Sequence, residues 1–479
     1  MKFERGLSIK VIIVCVVVSL LAMSVENAWG QNQTETLSPV LTDASLPFSL
    51  EINEANFSLQ AGIHSYVSAI HKGKWILLGG RTDGFHGFDC AVSNFSPAFQ
   101  NRQVHVVDPA TGIALHKSLE DSDLNPLQMD ALSAAKAQFF QKGNKLYIAG
   151  GYGIDSATGE IGTKDTLTEV NLDKVMDWAA GDTLQLSRAL RQITHPLLQV
   201  TSGFLFQANN HEPFLLMLGQ KAPGLCHSDP NGHCTMQIRP FWLNDSGGNL
   251  SIIPHVSPVT YPDYRRQDPN IAPILHNNQF AYIAFAGIFT LEAGVWTVPI
   301  KILPNGKSYE PDPHEAASFK QAMNHYHCPS FGLYSSSRNE MFVVFPGGIS
   351  YGFFSNGTFS TDSGIPFINQ VTTIKIDKNN IYTQHLMDGE FPYIASTGSS
   401  PPNQLLFGAE ASFFPKDDIS LYSNGVIQYD ALSKDRTVIG YIVGGIMSSQ
   451  PNTNTNTDST SSPYVFTVTL VPRSLSDKL

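Results

Sequence analysis

The chain has 479 residues, of which 15% are charged and 10% are aromatic, and its formal net charge is −11. The negative charge argues against a nucleic-acid partner, because binding to phosphates requires a basic face. The low content of charged residues favours a large buried core with many short strands.

The first 30 residues have the pattern of a secretory signal peptide. A basic start at Lys2 and Arg5 precedes a continuous apolar run over residues 11–23, and small residues for cleavage follow at Ala28 and Gly30. The run is too short for a membrane span, although a membrane anchor is the alternative interpretation. We therefore expect removal of this segment on export, which would make the mature chain secreted or periplasmic. No later segment is apolar enough to predict a span.

One unit recurs along the rest of the chain. It consists of an apolar strand, a turn, a hydrophobic strand that ends in a glycine doublet, a variable loop and an alternating strand. The doublets are Gly79-Gly80, Gly150-Gly151, Gly347-Gly348 and Gly444-Gly445, and two degraded copies end at Gly219 and Gly287. The alternating strands are predicted at residues 103–108, 167–173, 238–244, 295–302, 371–377 and 464–470.

These repeats predict an all-β protein, a six-bladed β-propeller with four strands in each blade. A hydrophobic run such as residues 75–78 fits a strand that is buried on both faces. A small sheet of this kind can bury its faces only against its neighbours, so the copies stack, and a ring leaves only short edges. The sixth copy lacks an outer strand, and we expect residues 47–57 to supply it and to close the ring.

The predicted domain limits follow from this closure. The propeller covers residues 47–472, after the signal peptide (1–30) and a polar segment (31–46), and before a C-terminal tail (473–479). The polar stretches 31–44 and 452–462 are expected to be loose. A short helix is expected within residues 172–180.

The glycine doublets after apolar strands resemble kelch repeats of the galactose-oxidase-like propeller superfamily. The resemblance covers nearly the whole mature chain and implies the propeller fold, but it implies no particular function. The chain departs from the kelch pattern in that the spaced Tyr and Trp expected after each doublet are mostly absent. Its overall pattern is similar to that of secreted bacterial kelch-like proteins.

Four cysteines follow the signal peptide, and export places them in an oxidising compartment. Cys226 and Cys234 bracket a loop with a Pro-Asn-Gly turn, which predicts a local disulfide. A zinc site with the adjacent histidines is the alternative, although neighbouring ligands suit a tetrahedral chelate poorly. Cys90 and Cys328 form a less certain pair.

Candidate metal ligands lie where the inner strands of the blades are predicted to begin. Alternate copies place His64, His195 and His327 there, and two other copies place Asp268 and Glu410. Three imidazoles around one axis can hold a transition metal such as copper, zinc or iron. The carboxylates can bind the same metal or orient the imidazoles through hydrogen bonds. The alternatives are a polar channel mouth that binds a ligand without metal, and a channel lined by ordered water.

Two further groups are candidates for ligand contact on the same face. Arg81, Asp83 and His86 lie in a loop that is rich in glycine and aromatic residues, which suits a small polar ligand such as a sugar. Arg265 and Arg266 are placed to clamp a carboxylate. The alternatives are a turn-rich loop that satisfies its own backbone and a simple ion pair.

Two classes of function follow from these candidates. The first is an exported propeller that binds a small polar molecule, a glycan or a surface protein at the channel mouth. The second is an enzyme at the same site, either a metal-dependent oxidase or lyase or a cofactor-free sugar epimerase. The sequence identifies no catalytic residue, so it leaves open whether the protein is an enzyme.

Overall fold

The computed structural model describes residues 37–87, 92–222, 233–255, 259–288, 290, 294–397, 401–453, 455 and 457–473. Within these ranges the protein is almost entirely β, with two α-helices, Pro126–Leu132 and Leu172–Ala179. The second helix lies where the sequence predicts one. A search of the same residues for a helix long and apolar enough to cross a membrane finds none.

Most strands form antiparallel groups of four that follow one another along the chain. We number these groups sheets 1–6. Sheet 1 contains Val67–His71, Lys74–Leu78, Gln103–Asp108 and Ile113–Ser118. Sheet 2 contains Gln138–Lys142, Lys145–Ala149, Thr166–Asn171 and Leu190–Thr194. Sheet 3 contains Phe204–Phe206, Phe214–Met217, Ile238–Asn244 and Ser251–Pro254.

The second half of the chain repeats this order. Sheet 4 contains Asn270–His276, Gln279–Phe285, Ile300–Ile302 and Ser308–Tyr309. Sheet 5 contains Phe331–Ser335, Glu340–Pro346, Val371–Ile376 and Tyr382–Leu386. Sheet 6 contains Ser412–Pro415, Thr437–Val443, Val465–Pro472 and the N-terminal strand Phe48–Glu54.

Shorter strands extend or decorate these sheets. Val40–Thr42 and Ile427–Gln428 pair in parallel with the two edges of sheet 5. The loops carry small sheets: Tyr152–Ile154 with Ile161–Thr163, Gln220–Lys221 with His233–Cys234, Gly352–Ser355 with Thr358–Thr361, and Leu406–Ala409 with Ile446–Ser448 and Ser459–Ser461.

The N-terminal strand pairs with the last strand of the chain, as the alternation of residues 47–57 predicts. The antiparallel register runs from Phe48 opposite Pro472 to Glu54 opposite Phe466. The strand is the outermost of its sheet, and it buries Phe48, Leu50 and Ile52 on one face. Burial of alternate residues is what fixes this register, since a slip of one residue would expose the apolar side chains.

Two stretches that were expected to be loose contain strands. Val40–Thr42 lies within residues 31–44 and pairs with Tyr382–Leu386. Ser459–Ser461 lies within residues 452–462 and pairs with Ile446–Ser448. In both cases the polar composition gave no sign of the backbone pairing, which in the case of Val40–Thr42 involves a partner strand far away in the sequence.

The glycine doublets lie where the backbones of consecutive sheets meet. Gly79 has φ 65 and Gly444 has φ 65, in the left-handed region. A Cβ atom on Gly79 would lie 2.4 Å from the carbonyl oxygen of Ala134, and one on Gly444 would lie 2.5 Å from that of Ile63. The next residue, Gly445, donates its N–H to the same Ile63 oxygen at 2.9 Å. Close approach and backbone conformation together therefore explain the repeated doublet.

The hydrophobic core is divided into clusters between consecutive sheets. One cluster packs Ile76 of sheet 1 with Ile148 of sheet 2, and corresponding clusters join each later pair. A further cluster joins sheet 6 to sheet 1, where Trp75 stacks on Phe414 with ring centroids 4.8 Å apart. Antiparallel sheets that bury both faces against their neighbours in this way have the architecture of a β-propeller.

Candidate functional site

Six residues that are not glycine adopt the left-handed conformation just before the first strands of the six sheets. They are Ser65 (φ 56), Lys136 (φ 51), Ser202 (φ 57), Asp268 (φ 50), His327 (φ 41) and Glu410 (φ 58). We call these residues the left-handed set. Such a conformation costs an L-residue roughly 1–2 kcal/mol, so the surrounding structure must impose it, and strained positions of this kind concentrate at functional sites.

Backbone hydrogen bonds connect members of this set from one sheet to the next. The N–H of Lys136 donates to the Ser65 oxygen at 2.9 Å, and that of Ser202 donates to the Lys136 oxygen at 3.1 Å. The N–H of Glu410 donates to the His327 oxygen at 2.8 Å, and that of Ser65 to the Glu410 oxygen at 3.4 Å. These bonds bring side chains from distant parts of the sequence close together.

Four members of the set carry ionisable side chains, and these side chains form one cluster. The Nζ atom of Lys136 lies 2.8 Å from Glu410 Oε1 and 3.1 Å from Asp268 Oδ1. His327 Nδ1 lies 2.6 Å from Glu410 Oε2. Ser65 donates its hydroxyl hydrogen to the same Oε2 atom at 2.8 Å. Glu410 therefore contacts three donor groups from sheets 1, 2 and 5.

The cluster stabilises the charged forms of its members. Burial by itself would raise the pKa of Glu410, but His327 and Lys136 hold that pKa well below its usual range. Burial opposes the charged form of His327, yet the carboxylates of Glu410 and then Asp268 raise its pKa. Lys136 responds in the same direction, because its two carboxylate partners outweigh burial and raise its pKa.

A cavity of about 340 Å³ lies against this cluster, and we call it the large cavity. Lys136, Asp268, His327 and Glu410 form its polar side. Its apolar side consists of Phe85, Ile288, Ile349, Ile365 and Phe367. Two other lining groups, the Tyr326 hydroxyl and Gln267 Oε1, are buried and have no hydrogen-bond partner among the described residues. A concave apolar site with a few convergent polar groups is typical of small-molecule binding.

A second cavity of about 20 Å³, the small cavity, is also lined by Lys136 and Glu410. Arg81 lines this cavity and forms a buried bidentate pair with Asp83, at 2.9 Å from Nε to Oδ1 and 2.6 Å from Nη2 to Oδ2. His64 Nε2 lies 3.6 Å from Asp83. Burial raises the pKa of Asp83, but His64 and Arg81 outweigh burial and lower it. A volume of this size holds about one water molecule.

The structure brings together three of the five predicted metal ligands. One ligand atom from each of Asp268, His327 and Glu410 lies within 4.8 Å of the others. His64 immediately precedes a member of the left-handed set and reaches the cluster through Ser65, whose Oγ lies 2.9 Å from His64 Nδ1.

His195 lies elsewhere, and its predicted position is corrected. It follows Leu190–Thr194, the outer strand of sheet 2, and its Nδ1 accepts a hydrogen bond from the Leu197 N–H in a short helical turn. The first strand of sheet 3 begins at Phe204, so the residue equivalent to His327 is Ser202. Comparison of the repeats in the sequence therefore placed the first strand of sheet 3 too early.

Lys136 occupies part of the space between the candidate metal ligands. His327, Asp268 and Glu410 offer nitrogen and carboxylate oxygen ligands that suit a transition metal. However, the Lys136 ammonium already lies between the two carboxylates, in the position that a cation would take. Metal binding would have to displace this ammonium group or share its ligands.

The predicted ligand-contact residues fall into two groups. Arg81 lines the small cavity and is paired with Asp83, and His86 lines both cavities. Burial lowers the pKa of His86 to about 4, so its imidazole is neutral near pH 7. Arg265 instead donates to the Thr290 carbonyl oxygen at 2.8 Å.

Arg266 is a structural residue of sheet 4 and not a ligand clamp. Its side chain is 0% exposed, donates to the carbonyl oxygen of Val298 at 2.7 Å, and lies over the Trp296 ring at 4.8 Å. Nη2 also lies 3.2 Å from Glu310. A guanidinium whose donors are engaged inside the sheet has no path to a ligand carboxylate.

The predicted cysteine pairs remain predictions, because Cys226 and Cys90 lie outside the described residues. Cys328 is buried next to His327, and the side-chain nitrogen of Asn270 lies 3.6 Å from its Sγ atom. Burial raises the pKa of this thiol, which makes it a poor nucleophile.

Sequence reasoning missed several residues in and around the site. Ser65 and Ser202 belong to the left-handed set, and Tyr326, Gln267 and Phe367 line the large cavity. In five of the six sheets the left-handed residue lies two positions before the first strand. Alignment on the start of that strand would have found the two serines.

Comparisons with known proteins find structural neighbours but no family. No protein-family model and no curated protein matches the chain. Among the solved structures that resemble it is the structure of YjhT, with 10% sequence identity and a TM-score of 0.45 over 86% of this chain and 98% of that chain. The sheets and the cavity define an all-β, propeller-like protein with a polar cluster beside a concave apolar wall.

Proposed function

We propose that this chain is an exported, six-bladed, kelch-like β-propeller that binds a small polar ligand or the end of a glycan in the large cavity. Export is supported by the signal-peptide pattern of residues 1–30, which lie outside the described residues. The cavity is then the mouth of a central channel, surrounded by the left-handed set.

The six-bladed ring is supported by contacts between the two ends of the chain. Each of sheets 1–6 contributes one member of the left-handed set. The Gly445–Ile63 hydrogen bond and the Trp75–Phe414 stack join sheet 6 to sheet 1. The N-terminal strand completes sheet 6, so the last blade contains both ends of the domain.

The observation that carries the binding proposal is the convergence of polar groups in the large cavity. Lys136, Asp268, His327 and Glu410 come from four different sheets and meet beside an apolar wall. Strained backbone at all four positions indicates that the fold holds these side chains in place. Held in place in this way, the groups are preorganised for a ligand, which lowers the entropic cost of binding.

A cofactor-free enzyme at the same cavity is the second candidate. The observation that favours it is the His327–Glu410 pair, an acid and a base on the cavity wall whose Nδ1 and Oε2 atoms lie 2.6 Å apart. Proton removal and return on a bound sugar, as in epimerisation, requires two such groups within reach of the substrate. A metal-dependent reaction has less support, because the Lys136 ammonium group competes for the same carboxylates.

Calorimetric titration of the mature protein against a panel of monosaccharides and short glycans tests the binding proposal. Lys136→Met should weaken binding at least tenfold, while Lys416→Met, which changes a partly exposed ion pair with Asp418, should leave it unchanged. Asp268→Asn is a milder second variant if Lys136→Met does not fold.

The outcome separates the candidate functions. Unchanged affinity in folded Lys136→Met and Asp268→Asn proteins would exclude the large cavity as the binding site. Conversion of the bound sugar, followed by proton NMR, would establish the enzyme instead of the binding module. Elemental analysis of the same preparation would reveal a bound metal.

A further inference from the structure

The charges around the large cavity are paired with one another. Lys136 and His327 face the carboxylates of Asp268 and Glu410, two basic groups against two acidic ones. The nearby guanidinium of Arg81 is paired with Asp83. The described walls therefore balance their own charges, and a charged ligand would be desolvated here without a new counter-charge.

Two polar groups in the same walls are neutral and lack partners within the described ranges. The Tyr326 and Gln267 side chains are each 1% exposed, and the Tyr326 hydroxyl and Gln267 Oε1 have no hydrogen-bond partner among the described residues. A phenol hydroxyl donates and accepts, and an amide oxygen accepts. Ligand hydroxyl groups match both, since each hydroxyl can donate and accept in turn.

The remaining lining of the large cavity is largely apolar and partly aromatic. Phe85 and Phe367 meet edge to face with centroids 5.5 Å apart, and Ile288, Ile349 and Ile365 continue the surface. A saturated ring that carries hydroxyl groups on its rim and C–H bonds on one face can cover such a wall while its rim reaches polar partners.

We infer that the ligand is an electrically neutral polyhydroxylated ring of the monosaccharide class, with its C–H face on the Phe–Ile wall. Its hydroxyl groups reach Tyr326, Gln267 and the charged cluster. The inference rests on the proposed function of the large cavity and narrows its ligand class. Acidic sugars and amino sugars are disfavoured, because each adds a buried charge to a site that is already balanced.

Matched sugar sets test the charge requirement. The probes are the methyl pyranosides of glucose, galactose and mannose, compared with glucuronate, galacturonate and glucosamine, all titrated at two salt concentrations. We expect at least one neutral sugar to bind, and its charged counterparts to bind at least tenfold more weakly. A charged sugar that binds as tightly as its neutral counterpart would overturn the inference while leaving the binding function intact. Failure of every probe to bind would contradict both.

A single hydroxyl group tests the orientation of the ligand. Tyr326→Phe should weaken binding of the neutral sugar about tenfold, which corresponds to one hydrogen bond. Tyr382→Phe is the control, because that ring stacks on Phe319 at 5.6 Å, away from the cavity walls. Wild-type affinity in a folded Tyr326→Phe protein would overturn the inferred contact.

An oligosaccharide that ends in the preferred sugar distinguishes the two sources of the ligand. Equal or tighter binding than the methyl glycoside indicates the end of a glycan. Weaker binding indicates a free monosaccharide. Both results support the neutral-ring class.

Discussion

The large and small cavities share Phe85, His86, Lys136 and Glu410, yet they differ in volume, at about 340 and about 20 Å³. Beside the small cavity, the Arg81–Asp83 pair and the Phe95 ring fill the space, with the guanidinium 5.2 Å from the ring centroid. Beside the large cavity, isoleucine side chains leave room, and the Tyr326 hydroxyl and Gln267 Oε1 have no hydrogen-bond partner in the described part of the chain. Glu410 therefore lines both a tightly packed space and a space large enough for a ligand.

The two sides also differ in how they pair their charges. The Arg81–Asp83 pair is local, between residues two positions apart in one loop. The Lys136–Asp268–Glu410–His327 cluster joins four sheets. Loss of the local pair should affect one loop, whereas loss of the shared carboxylate should affect the whole assembly and the binding site together.

The largest effect is expected for Glu410→Gln. The substitution leaves Lys136 and His327 facing a neutral amide in a site where the Glu410 side chain is 8% exposed. Removal of one member of a buried ion pair costs about 3–5 kcal/mol. Denaturant unfolding should report a loss of this size, and ligand affinity should fall with it.

Asp83→Asn is the comparison that separates the two cavities. It should also lower the free energy of unfolding, because Arg81 loses its buried partner. Its ligand affinity should stay within about twofold of wild type. Glu160→Gln, at an exposed carboxylate, controls for loss of charge alone. An equal loss of affinity in the Asp83 and Glu410 variants would contradict the separation of the cavities.

A smaller effect is expected at the two serines of the left-handed set. The Ser65 hydroxyl donates to the Glu410 carboxylate at 2.8 Å, while the Ser202 Oγ is buried without a partner among the described residues. Hydrogen bonds to charged groups contribute about 1.5–3 kcal/mol, so Ser65→Ala should lose stability in this range. Ser202→Ala should change it by less than about 0.5 kcal/mol. A loss at Ser202 as large as that at Ser65 would indicate a contact that the structure does not describe.

The sequence predicts the strands better than it predicts the site. Four glycine-doublet strands and five of the third strands lie within a few residues of their expected positions, because hydrophobic runs and glycines are local signals. The third strand of sheet 4 is shorter, at Ile300–Ile302. The parallel pairing of Val40–Thr42 was missed, since it depends on a partner more than 300 residues away.

The site could be predicted only in part, for a physical reason. Asp268, His327 and Glu410 were found because they precede recognisable strands, whereas His195 was chosen wrongly because the turn before sheet 3 contains a short helix. Whether an arginine faces a cavity or a carbonyl oxygen depends on tertiary packing, as Arg266 illustrates. Nothing in the sequence around Tyr326 indicates that its hydroxyl group is buried beside a cavity.

The smallest effect is expected from titration of the His327–Glu410 pair. Glu410 raises the pKa of His327 above the unfolded value of about 6.5. Near this pH the folded state binds more protons than the unfolded state. The contribution of His327 to the free energy of unfolding is therefore full below about pH 6.5 and is lost as the pH rises through the raised pKa. Glu410, whose pKa is lowered, contributes above its unfolded value of about 4.3 and loses that contribution only in acid.

The contribution of His327 to stability is best measured above pH 6.5. Burial lowers the pKa of other histidines, such as His325, to about 4. Their protonation favours the unfolded state, so the protein loses stability below about pH 6.5 for a reason unrelated to His327. Thermal unfolding from pH 6 to 9 should therefore show a decline in wild type that His327→Gln lacks, of about 1.4 kcal/mol for each unit by which the pKa is raised. His255→Gln, at an exposed imidazole outside the cavity, should keep the wild-type decline. Parallel curves for wild type and His327→Gln would mean that Glu410 does not hold a proton on His327. The large cavity would then lose the acid–base pair that distinguishes it from the small one.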